Sequence, residues 1–197
     1  MASDSTGIRG NAEPGRSDVY IEDDVYKAVY EEGDQALRDA MDMAYLIGQR
    51  PADTLSLLET DIKGDEIWIE QGKTKKKLRI LVSGELRALI YKITMRKELI
   101  GTTSSFLIVK DDGFPLTKGG LRGRFEKARD KAAEKYPLLE KDIRCFQFRD
   151  LRAKAGTDKA DVSGDIRQAQ KQLGHSSVTM TEQYVRNRKG DKVSPTK

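Results

Sequence analysis

The sequence has a single cysteine, Cys145, and a single histidine, His175. One cysteine excludes a disulfide framework, and this pair supplies too few ligands for a structural zinc site. No stretch approaches the roughly 20 apolar residues of a membrane-spanning helix, and the first residues lack the cationic and apolar pattern of a signal peptide. The 197 residues are enough for one domain that buries a core without disulfides or metals, and we expect it in the cytoplasm.

Basic residues are scarce in the first third of the chain. Residues 1–66 contain 6 Lys and Arg against 16 Asp and Glu, whereas residues 67–197 contain 30 against 16. The net charge of +4 therefore combines an acidic segment with a longer basic one. A solvated surface explains most single charges, but a bias over a whole segment is typical of a surface that binds nucleic acid.

Apolar spacing predicts a mainly helical domain over residues 19–188. Capping residues, prolines and glycines bound the apolar repeats, with Ser83 and Thr117 as two predicted N-caps. We predict helices at about residues 21–32, 37–47, 51–58, 84–93, 118–136, 149–156, 166–173 and 178–186. Residues 1–18, rich in Ser, Gly, Asn and Pro, predict a flexible arm, and residues 189–197 a basic tail.

Two segments alternate between apolar and polar side chains, as half-buried strands do: residues 66–71 and 78–82. We expect them to form a hairpin with residues 72–77 at its tip. The tip carries Lys73, Lys75, Lys76 and Lys77. Lysines on a turn usually serve solubility or diffuse attraction to DNA. Residues 106–109 predict another short, buried strand.

The C-terminal third contains groups that suit a phosphate site. Arg152 could grip an anion through its planar guanidinium, and His175 could donate a hydrogen bond to a second oxygen. Tyr184, nine residues after His175, could attack phosphorus. Each residue also has an ordinary interpretation, since a histidine at a helix end is stabilised by the helix dipole and a helical tyrosine commonly packs on the core.

Further cations precede this segment. Arg50 stands at an abrupt junction before Pro51, where it could face a cleft or simply lie on the surface. The helix after Thr117 is rich in Lys and Arg, which favours contact with a phosphate backbone. The candidate DNA-binding residues are Arg122, Arg124, Lys75, Lys76 and Lys77.

With these residues assembled, the chain resembles the catalytic domain of the tyrosine recombinases, the lambda-type phage integrases, from about Tyr20 to Arg188. The resemblance rests on the order of the motifs, because each motif alone is weak. In family order they are Arg50 in Gly-Gln-Arg-Pro-Ala-Asp, Lys73 in Glu-Gln-Gly-Lys-Thr, Arg152 in Asp-Leu-Arg, His175 in Leu-Gly-His, and Tyr184. The implied fold is α+β and mainly α, with a small three-stranded antiparallel sheet.

The resemblance implies how the scissile phosphate is held. Arg50 and Arg152 correspond to the two arginines that clamp it, and His175 to the histidine that donates a hydrogen bond to it. Asp53 matches an acidic position that orients its neighbours. This arrangement implies no metal and no cofactor, and the sequence shows no cluster of carboxylates of the kind that two-metal nucleases use.

The resemblance also implies the covalent chemistry. Tyr184 corresponds to the nucleophile, which forms a 3′-phosphotyrosine and releases a 5′-hydroxyl. Lys73 corresponds to the general acid, and Lys75 is the nearest alternative. The family has a histidine where this chain has Arg149; arginine can donate to a phosphate oxygen, but it cannot accept the tyrosine proton because its pKa exceeds 12.

The resemblance implies site-specific recombination of phage or prophage DNA inside a bacterial cell, at the nucleoid. The implied partner is double-stranded DNA, bound by a homo-tetramer that associates weakly or is monomeric without DNA. Two alternatives are a type IB topoisomerase, which would use the same residues, and a DNA-binding module that has lost catalysis. The family usually carries a further DNA-binding domain before the catalytic one, and residues 1–18 are too few to form it.

Overall fold

The computed structural model describes residues 19–182 and Val185. The helices of this part of the chain are α1 Asp23–Glu32, α2 Gln35–Ile47, α3 Pro51–Leu55, α4 Gly84–Ile100, α5 Lys118–Lys135, α6 Glu140–Cys145, α7 Asp150–Ser163, α8 Ile166–Leu173 and α9 Val178–Glu182. Short 3-10 turns lie at Glu59–Asp61 and Pro137–Leu139. The predicted arm, Tyr184 and the predicted basic tail lie outside the described residues.

Helix α2 lies at the centre of the core. The Asp34 side chain caps its start by accepting a hydrogen bond from the Leu37 N–H, and Gly48 ends it in the left-handed conformation. Leu37, Met41 and Ile47 are completely buried on its inner face. Helices α4, α5 and α7 pack around it, as expected for an apolar stripe at helical spacing.

The sheet has three antiparallel strands: β1 Ile62–Lys63, β2 Glu66–Glu70 and β3 Lys77–Leu81. The hairpin of β2 and β3 was predicted, and its register pairs Glu70 with Lys77 at the tip. Ile67 and Ile69 are buried beneath the sheet. Residues 106–109 were wrongly predicted as a strand.

Residues 106–109 make only two isolated bridges, from Phe106 to Leu58 and from Val109 to Pro115. Leu107 and Ile108 are nevertheless buried, so this apolar segment packs in the core without forming a strand. The chain turns back at once, with the Lys110 N–H donating to the Phe114 carbonyl, and no ladder can extend.

The predicted ends of three helices, one predicted cap and one helix that was not predicted need correction. Helix α3 ends at Leu55, so Leu58 lies outside it, and α4 extends well beyond the predicted end to Ile100. Ser83 occupies the N-cap position of α4, but its side chain makes no capping hydrogen bond. Helix α6 was not predicted, and α7 continues through Gly156 to Ser163.

Gly156 lies inside α7 and does not end it. Its lack of a side chain lets α8 approach α7 closely. A Cβ at this position would lie 2.8 Å from Leu173 Cδ1, inside van der Waals contact. The lack of a side chain thus lets Leu173, the last residue of α8, pack directly on α7. This close packing brings the end of α8 beside the start of α7, where Arg152 lies.

The far half of α7 is anchored to Tyr20, which precedes α1, and to Tyr45 on α2. Asp158 accepts hydrogen bonds from the phenols of Tyr20 and Tyr45. Lys154, which is buried, lies 3.2 Å from the same carboxylate and beneath both aromatic rings.

The described helices include none that is long and apolar enough to cross a membrane.

Candidate active site

Arg152 joins the ends of two helices. It lies in the first turn of α7 and is only 3% exposed. Its Nη1 donates to the Gly48 carbonyl at 2.7 Å, and its Nη2 donates to the Leu173 carbonyl at 2.6 Å. Both carbonyls belong to helix C-terminal ends, which carry partial negative charge and lack intrahelical donors. Arg152 therefore stabilises the fold and places a fixed cation at the junction of α2, α7 and α8.

His175 follows the left-handed Gly174 that ends α8, and it is 6% exposed. Its Nε2 lies 3.1 Å from Arg152 Nη2, and its Nδ1 lies 3.1 Å from Thr181 Oγ1. Because a guanidinium can only donate, Nε2 must accept, which assigns the proton to Nδ1. Thr181 Oγ1, on α9, therefore accepts the hydrogen bond from the Nδ1–H and fixes this tautomer.

His175 is neutral near pH 7. Burial, followed by the charges of Arg152 and then Arg50, lowers its pKa to about 4. In this state Nε2 accepts a hydrogen bond, whereas the expected role was donation to a phosphate oxygen. Donation from Nε2 needs a proton there, which an anion between His175 and the arginines would favour.

Arg50 and Asp53 connect the start of α3 with the hairpin. Arg50 Nη1 donates to Gln71 Oε1 at 3.2 Å and lies 3.8 Å from Asp53 Oδ2. Asp53 Oδ1 accepts from the Gly72 N–H at 2.9 Å. The carboxylate is buried, while the Arg50 side chain remains 23% exposed. Asp53 thus contacts both a candidate clamp residue and the hairpin tip, and its supporting role stays a prediction.

Lys73, Lys75, Lys76 and Lys77 are all exposed at the hairpin tip. Lys75 and Lys77 each place Nζ 3.9 Å from a Glu70 carboxylate oxygen. Lys73 instead lies between Gly72, bonded to Asp53, and Thr74, whose hydroxyl donates to Gln71. These contacts anchor the backbone around Lys73 to the same residues that hold Arg50.

A groove of about 790 Å³ opens beside Arg50. Its cations are Arg50, Lys118, Arg122, Arg129 and Arg149, and its apolar walls include Leu121, Phe125 and Phe148. Arg149 is exposed at the N-cap position of α7. Arg129 belongs to the basic set on α5 for which the sequence predicted contact with a phosphate backbone, whereas Lys118 was not predicted.

The structure separates Arg122 from Arg124. Arg122 lines the groove and pairs with Glu126 one turn along α5. Arg124 is not among the groove residues, and its Nε donates to Asp34 at 2.8 Å. Two residues along a helix correspond to about 200°, so the two side chains leave α5 in nearly opposite directions.

Three neutral polar residues of the site escaped the sequence reasoning: Gln49, Gln71 and Thr181. All three are at most 1% exposed, and all three hydrogen-bond within the junction that holds Arg152 and His175. The available signal was the position of Gln49 and Gln71 immediately beside the arginine and lysine motifs. Tyr184 lies outside the described residues, and within those residues no cluster of three or more His, Cys, Asp or Glu could hold a metal.

Residues 20–190 match the model of the Phage integrase family. This match covers most of the chain, which therefore belongs to the phage integrase family. The sequence resemblance to lambda-type integrases is confirmed.

Two phage integrases are similar in sequence. The integrase of Escherichia phage HK022 is 30% identical over 175 residues, which cover 85% of this chain and 47% of that protein. The integrase of Escherichia phage lambda is 30% identical over 184 residues, covering 86% of this chain and 48% of that protein. The chain thus spans about half the length of these curated relatives.

Solved structures share the fold. A lambda integrase dimer bound to a COC′ core site matches with a TM-score of 0.70 and 24% identity, over 96% of this chain and 53% of that one. The lambda integrase catalytic core matches with a TM-score of 0.61 and 23% identity, over 77% and 92%. XerA recombinase matches with a TM-score of 0.65 and 21% identity, over 87% and 61%. The predicted mainly helical α+β fold with a small antiparallel sheet is confirmed.

Proposed function

We propose that this chain is the catalytic part of a site-specific recombinase that cuts and rejoins DNA through a 3′-phosphotyrosine. The observation that carries the proposal is the convergence of Arg50, Arg152 and His175 at one junction beside the Lys73 loop. Family membership supports the same reaction class. Tyr184 enters from the sequence motif, nine residues after His175.

The two arginines would stabilise the charge that gathers on the phosphate oxygens as the nucleophile attacks. Arg50 is partly exposed and faces the groove, while Arg152 approaches from the buried side. Both charges are positioned before substrate arrives, so little reorganisation is needed, and removing one such donor typically costs about 10²–10³ in rate.

In the proposed reaction, the Tyr184 hydroxyl oxygen forms a bond to phosphorus as the bond to the 5′ oxygen breaks. Lys73 delivers a proton to that oxygen, and a later attack by a 5′-hydroxyl reverses the step without ATP. The tyrosine proton passes to His175, water or the phosphate. Arg149 cannot accept it, and a His175 pKa of about 4 makes the imidazole a weak base at neutral pH.

We further propose that double-stranded DNA lies along the groove cations and that the active assembly is a homo-tetramer on DNA. The lambda integrase structures that share this fold include a dimer on a core site and a tetramer on a Holliday junction. Without DNA we expect a monomer or weak association. The protein would act inside the bacterial cell, at the nucleoid.

The test is covalent trapping on a nicked suicide duplex, in which the cleaved fragment diffuses away. Wild-type protein should form a denaturant-resistant adduct that survives a chelator, and Tyr184→Phe should bind DNA without forming one. Because Arg149 replaces the family's histidine, a DNA-binding module with lost catalysis is the second candidate. Binding without an adduct from either protein, on a duplex carrying the cognate site, would favour that module.

A further inference from the structure

Gln71 is completely buried where the hairpin meets the site. Its Nε2 donates to Gln49 Oε1 at 2.7 Å and to the Leu173 carbonyl at 2.9 Å. Its Oε1 accepts from Arg50 Nη1 at 3.2 Å and from Thr74 Oγ1 at 2.6 Å. An amide has two donors and two acceptor lone pairs, so this side chain uses its complete hydrogen-bonding capacity.

The orientation of this amide is fixed by its partners. A carbonyl can only accept and a guanidinium can only donate, so Nε2 must face Leu173 and Oε1 must face Arg50. Gln49 supports the same orientation, since its own Nε2 is occupied by the carbonyls of Ile47 and Gln172. A flipped Gln71 would place like groups against each other at three contacts, those with Gln49, Leu173 and Arg50, whereas the Thr74 hydroxyl could accept as well as donate.

The backbone of Gln71 closes the loop that carries Lys73. The Gln71 N–H donates to the Lys76 carbonyl at 2.9 Å, and the Lys75 N–H donates to the Gln71 carbonyl at 2.8 Å. The fit against α8 is tight, because a Cβ at Gly174 would lie 2.9 Å from Gln71 Nε2. Gln71 is therefore the shared partner of the Lys73 loop, the Arg50 guanidinium and the turn before His175.

We infer that Gln71 is a positioning residue that holds the Lys73 loop at the leaving-group side of the scissile phosphate. The inference rests on the proposed function and deepens it. Because Gln71 also contacts Arg50, its loss could act through the general acid or through the phosphate clamp. These two routes differ in what the leaving group needs.

A duplex whose scissile 5′-bridging oxygen is replaced by sulfur separates the routes. Breaking the P–S bond releases a thiolate, whose conjugate acid has a pKa of about 8.5, so no proton donor is needed. An alkoxide is far more basic than a thiolate, so the oxygen leaving group needs a proton donor. A defect in proton delivery is relieved by sulfur, whereas a defect in clamping the phosphate is not.

The variants are Gln71→Met, which keeps the side-chain length and removes all four hydrogen bonds, and Lys73→Ala and Arg50→Ala as references. On the oxygen duplex we expect Gln71→Met to cleave about 10²-fold more slowly than wild type, as a misplaced catalytic group would. On the sulfur duplex it should recover with Lys73→Ala to within about 10-fold of wild type. Arg50→Ala should remain slow on both.

Two results would overturn the inference: Gln71→Met cleaving the oxygen duplex at the wild-type rate, or staying as slow as Arg50→Ala on the sulfur duplex. Thr74→Val provides a second variant at the exposed tip, where folding is not at risk. It removes one of the four hydrogen bonds of Gln71. We expect a smaller loss of cleavage rate on the oxygen duplex and, as for Gln71→Met, recovery on the sulfur duplex. A Thr74→Val defect that sulfur does not relieve would also contradict the positioning role.

Amide exchange without DNA separates this inference from the proposed function. The Lys75 N–H donates to the Gln71 carbonyl, and the Gly72 N–H anchors the same loop to Asp53, so loosening of the loop in Gln71→Met should speed the exchange of both by about 10-fold. Unchanged exchange would contradict the positioning role. A wild-type protein that cleaves neither duplex, with exchange altered in Gln71→Met as expected, would contradict the recombinase function but not the anchoring of the loop.

Discussion

Arg50 and Arg152 carry the same fixed charge but are held in different ways. Arg152 is buried and donates to two helix-end carbonyls, whereas Arg50 is partly exposed and donates to one glutamine. Removing Arg152 takes the charged donor from two buried helix-end carbonyls, whereas removing Arg50 takes it from one buried oxygen, Gln71 Oε1, which the Thr74 hydroxyl still binds. We therefore expect both arginines to be equally necessary for cleavage, but Arg152 to contribute more than Arg50 to the stability of the fold.

Substitution of each arginine by alanine tests this difference. We expect Arg152→Ala to lower the free energy of unfolding by about 2–4 kcal/mol, and Arg50→Ala by less than about 1 kcal/mol. Both should lower the cleavage rate by at least about 10²-fold. Urea unfolding and suicide-duplex kinetics measure the two effects. Equal stability losses would mean that the Arg152 contacts with Gly48 and Leu173 contribute little.

The protonation of His175 can be followed alone, because the chain has one histidine. We expect its imidazole NMR signals to titrate with a pKa of about 4, lowered by burial and by Arg152 and Arg50. The unfolded chain takes up this proton at a higher pH, about 6.5, so this group should reduce stability as pH falls from 6.5 towards 4. A midpoint between 6 and 7 in the folded protein would contradict the buried, Arg152-bonded imidazole.

At the scale of the helices, the packing of α7 on α8 positions the site. Gly156 permits this packing, since a methyl group there would meet Leu173 at 2.8 Å. Leu173 supplies the carbonyl that both Arg152 and Gln71 bind. A small separation of α7 from α8 would therefore move the arginine, the hairpin anchor and the turn before His175 together.

Two glycine substitutions test this packing. Gly156→Ala should destabilise the protein by about 1–3 kcal/mol through overpacking. Gly123→Ala, in exposed α5 with nothing within 4 Å of the new methyl group, should stabilise it by about 0.5–1 kcal/mol through helix propensity. Urea unfolding of both variants gives the comparison, and a neutral or stabilising Gly156→Ala would contradict the close approach of α8.

The same elements show which parts of the fold could be predicted. Helix α2 and the β2–β3 hairpin follow from local spacing, because their apolar positions coincide with their buried faces. Strand β1 has two residues and exists only because β2 pairs with it, so no local pattern could reveal it. The sequence wrongly predicted a helix end at Gly156. A glycine is needed there because of a contact with Leu173, which local spacing cannot reveal.

The residues of the site likewise include some that the sequence could predict and some that it could not. Arg50, Lys73 and Asp53 could be named because the order of the motifs resembles a known family, whereas the local pattern alone left Arg50 open as a surface residue. Gln49, Gln71 and Thr181 could not, since a neutral polar residue acquires its role only from the partners that folding brings to it. Arg122 and Arg124 looked equivalent in sequence, yet Asp34, from another helix, holds only Arg124.

At the scale of the molecule, the proposed function places the DNA backbone along the cations of the groove. Arg50, Arg122 and Arg149 line one groove, whereas Arg124 is paired with Asp34.

Salt dependence of DNA binding distinguishes the two arginines of α5. We expect Arg122→Gln to weaken binding and to reduce the slope of log K against log salt by about 1, as one lost phosphate contact would. Arg124→Gln is the matched control and should leave the slope unchanged. Fluorescence anisotropy at several salt concentrations measures both slopes, and an equal reduction in the two variants would contradict this placement of DNA.

The most direct test of the central claim is to identify the bond in the trapped adduct. Wild-type protein is reacted with the suicide duplex in the presence of a chelator, digested, and the nucleotide-bearing peptide sequenced by mass spectrometry. We expect a nucleotide joined through its 3′-phosphate to Tyr184, with a free 5′-hydroxyl on the released strand. An adduct on another residue, or a linkage through a 5′-phosphate, would contradict it.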